Sequence, residues 1–197
     1  DYILPQPINP SIILAGGAQY TTTRNVQTAL SATGSNLQMK LSEDSTFTGV
    51  NWQTYSSSPV FQLSTGDGSK TVYVKIMNDF EIESAPVSDV ISPQPINPSI
   101  TLAGGAQYTT TRNVQTALSA TGSNLQMKLS EDQTFTGVSW QTYSASPVFQ
   151  LSTGSGTKTV YAVFKNDFEM ESSPVSDAIS PQPINPSITL AGGDQYT

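Results

Sequence analysis

The chain has 197 residues, of which 12% are charged and 36% hydrophobic, with a formal net charge of −7 and neither cysteine nor histidine. Lacking imidazole and thiol, it has no Ser-His-Asp triad, no cysteine nucleophile, no disulfide and no zinc site built on His or Cys. The acidic balance and the absence of a basic stripe argue against nucleic acid and anionic lipid as partners, and apolar runs such as residues 12–15 fall far short of the ~20 needed to insert across a membrane. The sequence opens at Asp1 with no basic-then-apolar leader, and is expected to be a processed or excised piece of something longer.

The opening motif Pro5-Gln6-Pro7-Ile8-Asn9-Pro10-Ser11-Ile12 recurs at residues 93–100 and 181–188, a period of 88 residues. The two full copies differ at only 13 positions, so identity between them is weak evidence of constraint and the differences say more. A period of 88 exceeds the ~20–50 residues of a solenoid unit and suits one small domain per repeat. Residues 1–92 are read as a first repeat with an N-terminal Pro-rich linker, 93–180 as a second, and 181–197 as a linker and the first strand of a third. In Pro93-Gln94-Pro95-Ile96-Asn97-Pro98 the prolines fix φ and push their predecessors to extended geometry. This joint is expected to act as a short, semi-rigid spacer that keeps successive domains apart.

Along the first copy the hydrophobic period is two. A first strand is expected near Ile12-Ile13-Leu14, stopped by Ala15-Gly16-Gly17. Val26, Thr28, Leu30 and Ala32 then alternate with polar or small residues until Thr33-Gly34-Ser35-Asn36. Leu37, Met39 and Leu41 alternate with Gln38, Lys40 and Ser42, and a further segment lies near Trp52-Gln53-Thr54-Tyr55. Phe61 and Leu63 bracket Gln62 before the Gly66-Asp67-Gly68 turn. Val72, Val74 and Ile76 alternate with Tyr73, Lys75 and Met77 as far as Asn78-Asp79, and a last strand falls near residues 86–91.

About seven short strands per copy predict an all-β fold of two tandem Ig-like antiparallel β-sandwiches joined by the Pro-rich linker, plus the first strand of a third repeat. The expected core anchors are Leu30, Leu41, Trp52, Phe61, Val72 and Ile76, matched by Leu118, Leu129, Trp140, Phe149, Val160 and Phe164. Trp52 and Tyr55 are three apart and point to opposite strand faces, with Trp52 assigned inward. Between the copies, Val74→Ala162 and Ile76→Phe164 exchange volume on the inner face. Lys75→Val163 and Met77→Lys165 shift a lysine by one pleat repeat on the outer face.

Several stretches carry a resemblance. They are Ser31-Ala32-Thr33-Gly34, Met39-Lys40-Leu41-Ser42-Glu43-Asp44, Phe47-Thr48-Gly49, Trp52-Gln53-Thr54-Tyr55, and above all Gly66-Asp67-Gly68-Ser69-Lys70-Thr71-Val72-Tyr73-Val74. Together the two copies resemble, nearly end to end, prokaryotic Ig-like (fibronectin-III-like) tandem repeats of large secreted and cell-surface proteins. The resemblance implies an immunoglobulin-like sandwich serving as spacer, stalk or adhesive module without catalysis. Two features depart from that pattern. Gly34 and Gly122 stand where an Asp is common, and Asn78-Asp79-Phe80-Glu81-Ile82-Glu83 replaces a smaller turn.

Asp79, Glu81 and Glu83, repeated as Asp167, Glu169 and Glu171, form the best acidic constellation. Residues two apart on a strand share a face, so these carboxylates are candidates for one calcium ion, with carbonyls completing its oxygen shell. The competing explanation is a solvated acidic edge that discourages aggregation. No other cofactor is expected. Glu43-Asp44 and Glu131-Asp132 read as turn-stabilising Asx contacts. Asp67 becomes Ser155 between unchanged glycines, so that position needs a turn former and no carboxylate. A carboxylate pair hydrolysing a sugar needs a cleft, which a narrow duplicated sandwich does not offer, so no catalytic residue is assigned.

The expected function is a non-catalytic structural repeat of an elongated extracellular prokaryotic surface protein, a rigid stalk or filament building block. Its partners are neighbouring repeats of the same chain or identical chains in a fibre, with no nucleic acid and no membrane insertion. The alternatives are an adhesive or carbohydrate-binding module meeting a surface glycan or host receptor, and an accessory domain of a large secreted enzyme. The strand expected within residues 181–197 either continues a longer array or completes a neighbouring domain by β-addition.

Overall fold

The computed structural model describes residues 7–184, 186 and 187, and in it each repeat is a two-sheet β-sandwich. The first repeat contains β1 (Ser11–Leu14), β2 (Tyr20–Thr21), β3 (Asn25–Ser31), β4 (Gln38–Ser42), β5 (Gln53–Thr54), β6 (Val60–Gln62), β7 (Lys70–Met77) and β8 (Val87–Pro93). The second contains β9 (Ser99–Leu102), β10 (Tyr108–Thr109), β11 (Asn113–Ser119), β12 (Gln126–Ser130), β13 (Gln141–Thr142), β14 (Val148–Gln150), β15 (Lys158–Lys165) and β16 (Val175–Pro181). One sheet runs β1-β3-β6 and faces a second, β2-β8-β7-β4-β5; the second repeat reproduces both orders. This is an Ig-like arrangement.

Alternation sets the faces. In β3, Val26, Thr28 and Leu30 are buried while Asn25, Gln27, Ala29 and Ser31 are exposed. In β7, Val72, Val74 and Ile76 point inward, as their even-numbered spacing predicts. Met39 lies opposite Ile76 and Leu41 opposite Val74. A one-residue slip would turn this apolar set to solvent, so the pattern fixes the register.

The edge strand is divided in a way the alternation did not reveal. After β1 the chain makes a short 3-10 turn at Ala15–Gly17, with left-handed φ of 46° at Ala15, 65° at Gly16 and 85° at Gly17. The double glycine accepts that geometry without strain. The chain then crosses to the other sheet, where β2 pairs parallel to β8. The Leu14 N–H donates to Asp89 Oδ2 at 2.8 Å, tying the departing strand to β8; Leu102 and Asp177 repeat the tie at 2.8 Å.

Two expected anchors change places. Trp52 is half-buried on the surface beneath Lys40, whose Nζ lies 4.7 Å from the ring centroid. Tyr55 packs against the core, and its hydroxyl donates to Leu30 O at 2.9 Å. The cause is that β5 spans only Gln53–Thr54, so strand geometry does not extend to residues 52 and 55. Phe61 is likewise half-buried, and Leu63 takes the deep position at 0% exposure.

In the second repeat both Ala162 and Phe164 are fully buried, and the Phe164 ring meets Tyr143 edge-on at 6.0 Å. The relocated lysine stays on the outer face: Lys165 joins Lys128 over Trp140, at 5.3 and 4.6 Å from its ring centroid.

The joint is not a free spacer. Pro93 ends β8, and the Gln94 N–H donates to Thr21 O at 2.9 Å within the first repeat. Ile96 is already part of the second repeat's core at 5% exposure, as Ile8 is in the first at 6%. An apolar side chain among prolines gains by burial, which leaves hardly any chain between the two bodies. The strand expected to open a third repeat falls mainly on residues 188–197, outside the described residues. Among the described residues no helix is long and apolar enough to cross a membrane.

Candidate functional site

The distinctive chemistry lies in the turn between β7 and β8, and between β15 and β16. Each turn is organised by an asparagine that follows the long strand. Asn166, 4% exposed, accepts at Oδ1 the N–H groups of Phe168 at 3.0 Å and Met170 at 3.2 Å. Asn78 does the same for Phe80 at 3.0 Å and Ile82 at 3.1 Å. Glu81 and Glu169 adopt left-handed φ of 57° and 59°, so the two turns share one shape. A phenylalanine stands at each apex.

The fates of the two phenylalanines differ completely. Phe80 is 73% exposed, whereas Phe168 is 0% exposed. Phe168 belongs to the buried cluster of the first repeat, with Val26, Leu63 and Ile91. The second repeat thus inserts its turn into the end of the first. Met170 packs against the clusters of both repeats.

Polar contacts surround the wedge. The Gly66 N–H donates to Phe168 O at 2.7 Å, and the Arg24 N–H donates to Asp167 Oδ2 at 2.9 Å. The Ser123 hydroxyl donates to Thr22 O. Asn124 Nδ2 donates to the other Asp167 oxygen at 2.9 Å, which aims the carboxylate. Partial burial pushes the Asp167 carboxyl up, but the N–H of Arg24, the amide of Asn124 and the Arg24 charge together hold it below the usual carboxylate range.

A docked-state pKa below the free one means that Asp167 supports the junction above the ordinary carboxylate range and loses that support as pH falls through the lowered value. Asp67, Glu169 and Glu171 line an adjacent cleft, so other carboxylates lie close to the junction. Comparison with Asp167→Asn therefore isolates the effect. Small-angle scattering below about pH 4, the free aspartate range, is expected to show a larger acid-induced loosening in the wild type than in D167N.

The acidic residues singled out from the sequence are not gathered into a set. Residues 79–82 form the turn and not a continuous strand, so a spacing of two does not put their carboxylates on one face. Asp79 accepts Asn36 Nδ2 at 3.2 Å, Glu83 pairs with Lys75, and Glu169 pairs with Lys165 at 2.8 Å. Glu171 sits at an isolated bridge opposite Lys165. Among the described residues no three acidic side chains come together in a way that could hold a metal ion.

The Asx contact expected at Asp44 is present: its Oδ1 accepts the Thr46 N–H at 2.9 Å. Gly34 has a local explanation. Its φ is +141°, a backbone conformation that L side chains rarely adopt, and a Cβ there would lie 2.9 Å from Leu37 Cδ2, so an aspartate would be strained. The residue that sequence reasoning missed is the apical phenylalanine. The signal was a large apolar side chain at the tip of an acidic turn, where nothing in its own domain covers it.

No family model matches the chain, and no curated protein does. Solved structures of similar build include fibronectin(III)-like modules of Clostridium thermocellum CbhA, at 8% identity and TM-score 0.35 over 87% of this chain and 94% of that one. A two-domain fibronectin type III segment of chicken tenascin is 12% identical at TM-score 0.37, over 88% and 98% of the respective chains. The D00-D0 domain of intimin is 12% identical at TM-score 0.33, over 88% of this chain and all of that one (100%). The neighbours are fibronectin-III-like and Ig-like modules, the class to which the strand order above belongs.

Proposed function

We propose that this protein is a non-catalytic structural module, a run of Ig-like repeats that sets length in an elongated extracellular protein of a prokaryote, as a stalk or filament unit. The supporting observation is the burial of Phe168 in the core of the preceding repeat. Linked sandwiches move independently by default unless their contact is large or apolar. An aromatic wedge held by three polar contacts opposes that freedom, which is what a spacer of fixed reach requires. Binding of a glycan by the tryptophans has less support, since Lys40 covers the Trp52 ring and Lys128 the Trp140 ring. Small-angle scattering is the test. A rod of roughly 70–80 Å, from strand lengths and rise, with one interdomain peak resolved from the intradomain peak is the expected result; a globule or a broad flexible distribution overturns the reading.

A further inference from the structure

The four methionines of the chain differ in what they touch. Met39 and Met127, 3% and 2% exposed, lie inside the two sandwiches. Met77 is half-buried on the outer face of β7. Met170 is also half-buried, but it stands beside the socket that receives Phe168 and packs against the buried clusters of both repeats. One side of it is open: with Gly66, Asp67, Glu169 and Glu171 it lines a cleft of about 300 Å³. A small oxidant therefore reaches this side chain while both sandwiches stay folded.

We propose that the Met170 thioether is an oxidation site, and that its conversion to the sulfoxide loosens the junction between the repeats. The co-reactant is a peroxide. A sulfur lone pair attacks one peroxide oxygen, and the S–O bond forms as the O–O bond breaks. The released hydroxide takes the proton left on the new S–OH group and departs as water, so sulfur is oxidised and the peroxide reduced. The product is a polar side chain where a flexible apolar one bridged two cores. Its oxygen is a strong acceptor, whereas the thioether is a weak one. The Met170 sulfur faces Asn166 Nδ2 at 3.8 Å, and Oδ1 of the same amide holds the Phe168 and Met170 N–H groups that shape the wedge. The new oxygen thus pulls on the side chain that organises the turn. The ionised carboxylates lining the cleft accept hydrogen bonds and donate none, so its remaining partner is water. Burying it unpaired is unfavourable, which draws the side chain out toward the cleft and away from the two clusters. The first repeat has Ile82 at this position and forms the same turn, so the turn itself needs no sulfur.

The test treats the whole chain with hydrogen peroxide, locates sulfoxides by peptide mass spectrometry and follows amide exchange by NMR. The Gly66 and Arg24 N–H groups report on the junction, since they donate to Phe168 O at 2.7 Å and Asp167 Oδ2 at 2.9 Å. Oxidation is expected to reach Met170 and Met77 before Met39 and Met127. It is expected to speed exchange of both amides at least about 10-fold, the scale of a packed group made polar at a local opening site. The two epimer-specific methionine sulfoxide reductases are expected to restore slow exchange, a reversal that needs no variant. Met170→Ile and Met170→Leu are expected to keep it slow under the same treatment. Met170 remaining a thioether while Met77 is oxidised overturns the inference, as does a sulfoxide at 170 with unchanged exchange of Gly66 and Arg24. So do equal acceleration in the treated variants and fast exchange that persists once the thioether is restored. The stalk reading is judged separately, by the scattering of the untreated chain.

Discussion

Phe168→Ala lowers the stability of the first repeat, although the altered residue belongs to the second. Its ring is fully buried in the first repeat's cluster, so removing it opens a void between Leu63 and its neighbours and exposes their apolar surface. Loss of a buried phenylalanine costs about 3–5 kcal/mol where the surroundings do not collapse. The hydrogen bonds from Gly66 and Arg24 weaken with it, since they are held in place by the same wedge. Phe80→Ala is the internal control. It occupies the equivalent position at 73% exposure, and its expected effect on monomer stability is within about ±0.5 kcal/mol, as for most surface changes. Calorimetry is expected to show a downward shift of the first repeat's transition in F168A and unchanged transitions in F80A. Equal effects of the two would mean that Phe168 is not part of the first repeat's core in solution.

The second large effect is expected inside β15. Phe164 and Ala162 are both fully buried where the first repeat has Ile76 and Val74. Phe164→Ile alone leaves a gap beside Ala162 and removes the edge-on contact with Tyr143, a loss of about 2–3 kcal/mol from cavity and aromatic contributions. Ala162→Val alone adds volume to a filled core and costs about 1–3 kcal/mol. The double variant restores the packing of β7 and is expected within about 1.5 kcal/mol of the wild type. Urea unfolding of the four proteins measures the coupling. Additive losses would show that the two positions do not share one packing site.

The faces and order of the strands were legible because alternation is a direct record of burial. Val72, Val74 and Ile76 read inward from the sequence, and they are inward. The shift of a lysine from position 75 of the first copy to 165 in the second marks the outer face in the sequence alone. Trp52 was misplaced because face assignment needs a strand long enough to carry the alternation, and β5 has two residues. The junction was illegible for a different reason. Phe168 is buried by a neighbouring body, and the period-two pattern of a strand records only what its own sandwich covers. Proline content suggested separation between the repeats, whereas the isoleucine among the prolines decided how closely they meet. A spacing of two puts the acidic residues of the turn on one face only if they lie on a strand, and the left-handed φ at Glu81 removes that premise.

The wedge-and-socket contact has a genetic consequence. Because each unit carries both halves of the fit, duplicating one coding segment in tandem supplies a new member that matches its neighbours on arrival, with no further mutation needed at either face. Unequal crossing-over between such similar tracts changes the product in whole steps of 88 residues and leaves every internal contact as it was. Selection on overall reach can then act through copy number, while single changes accumulate on the surface and the buried face of β15 changes by paired exchange.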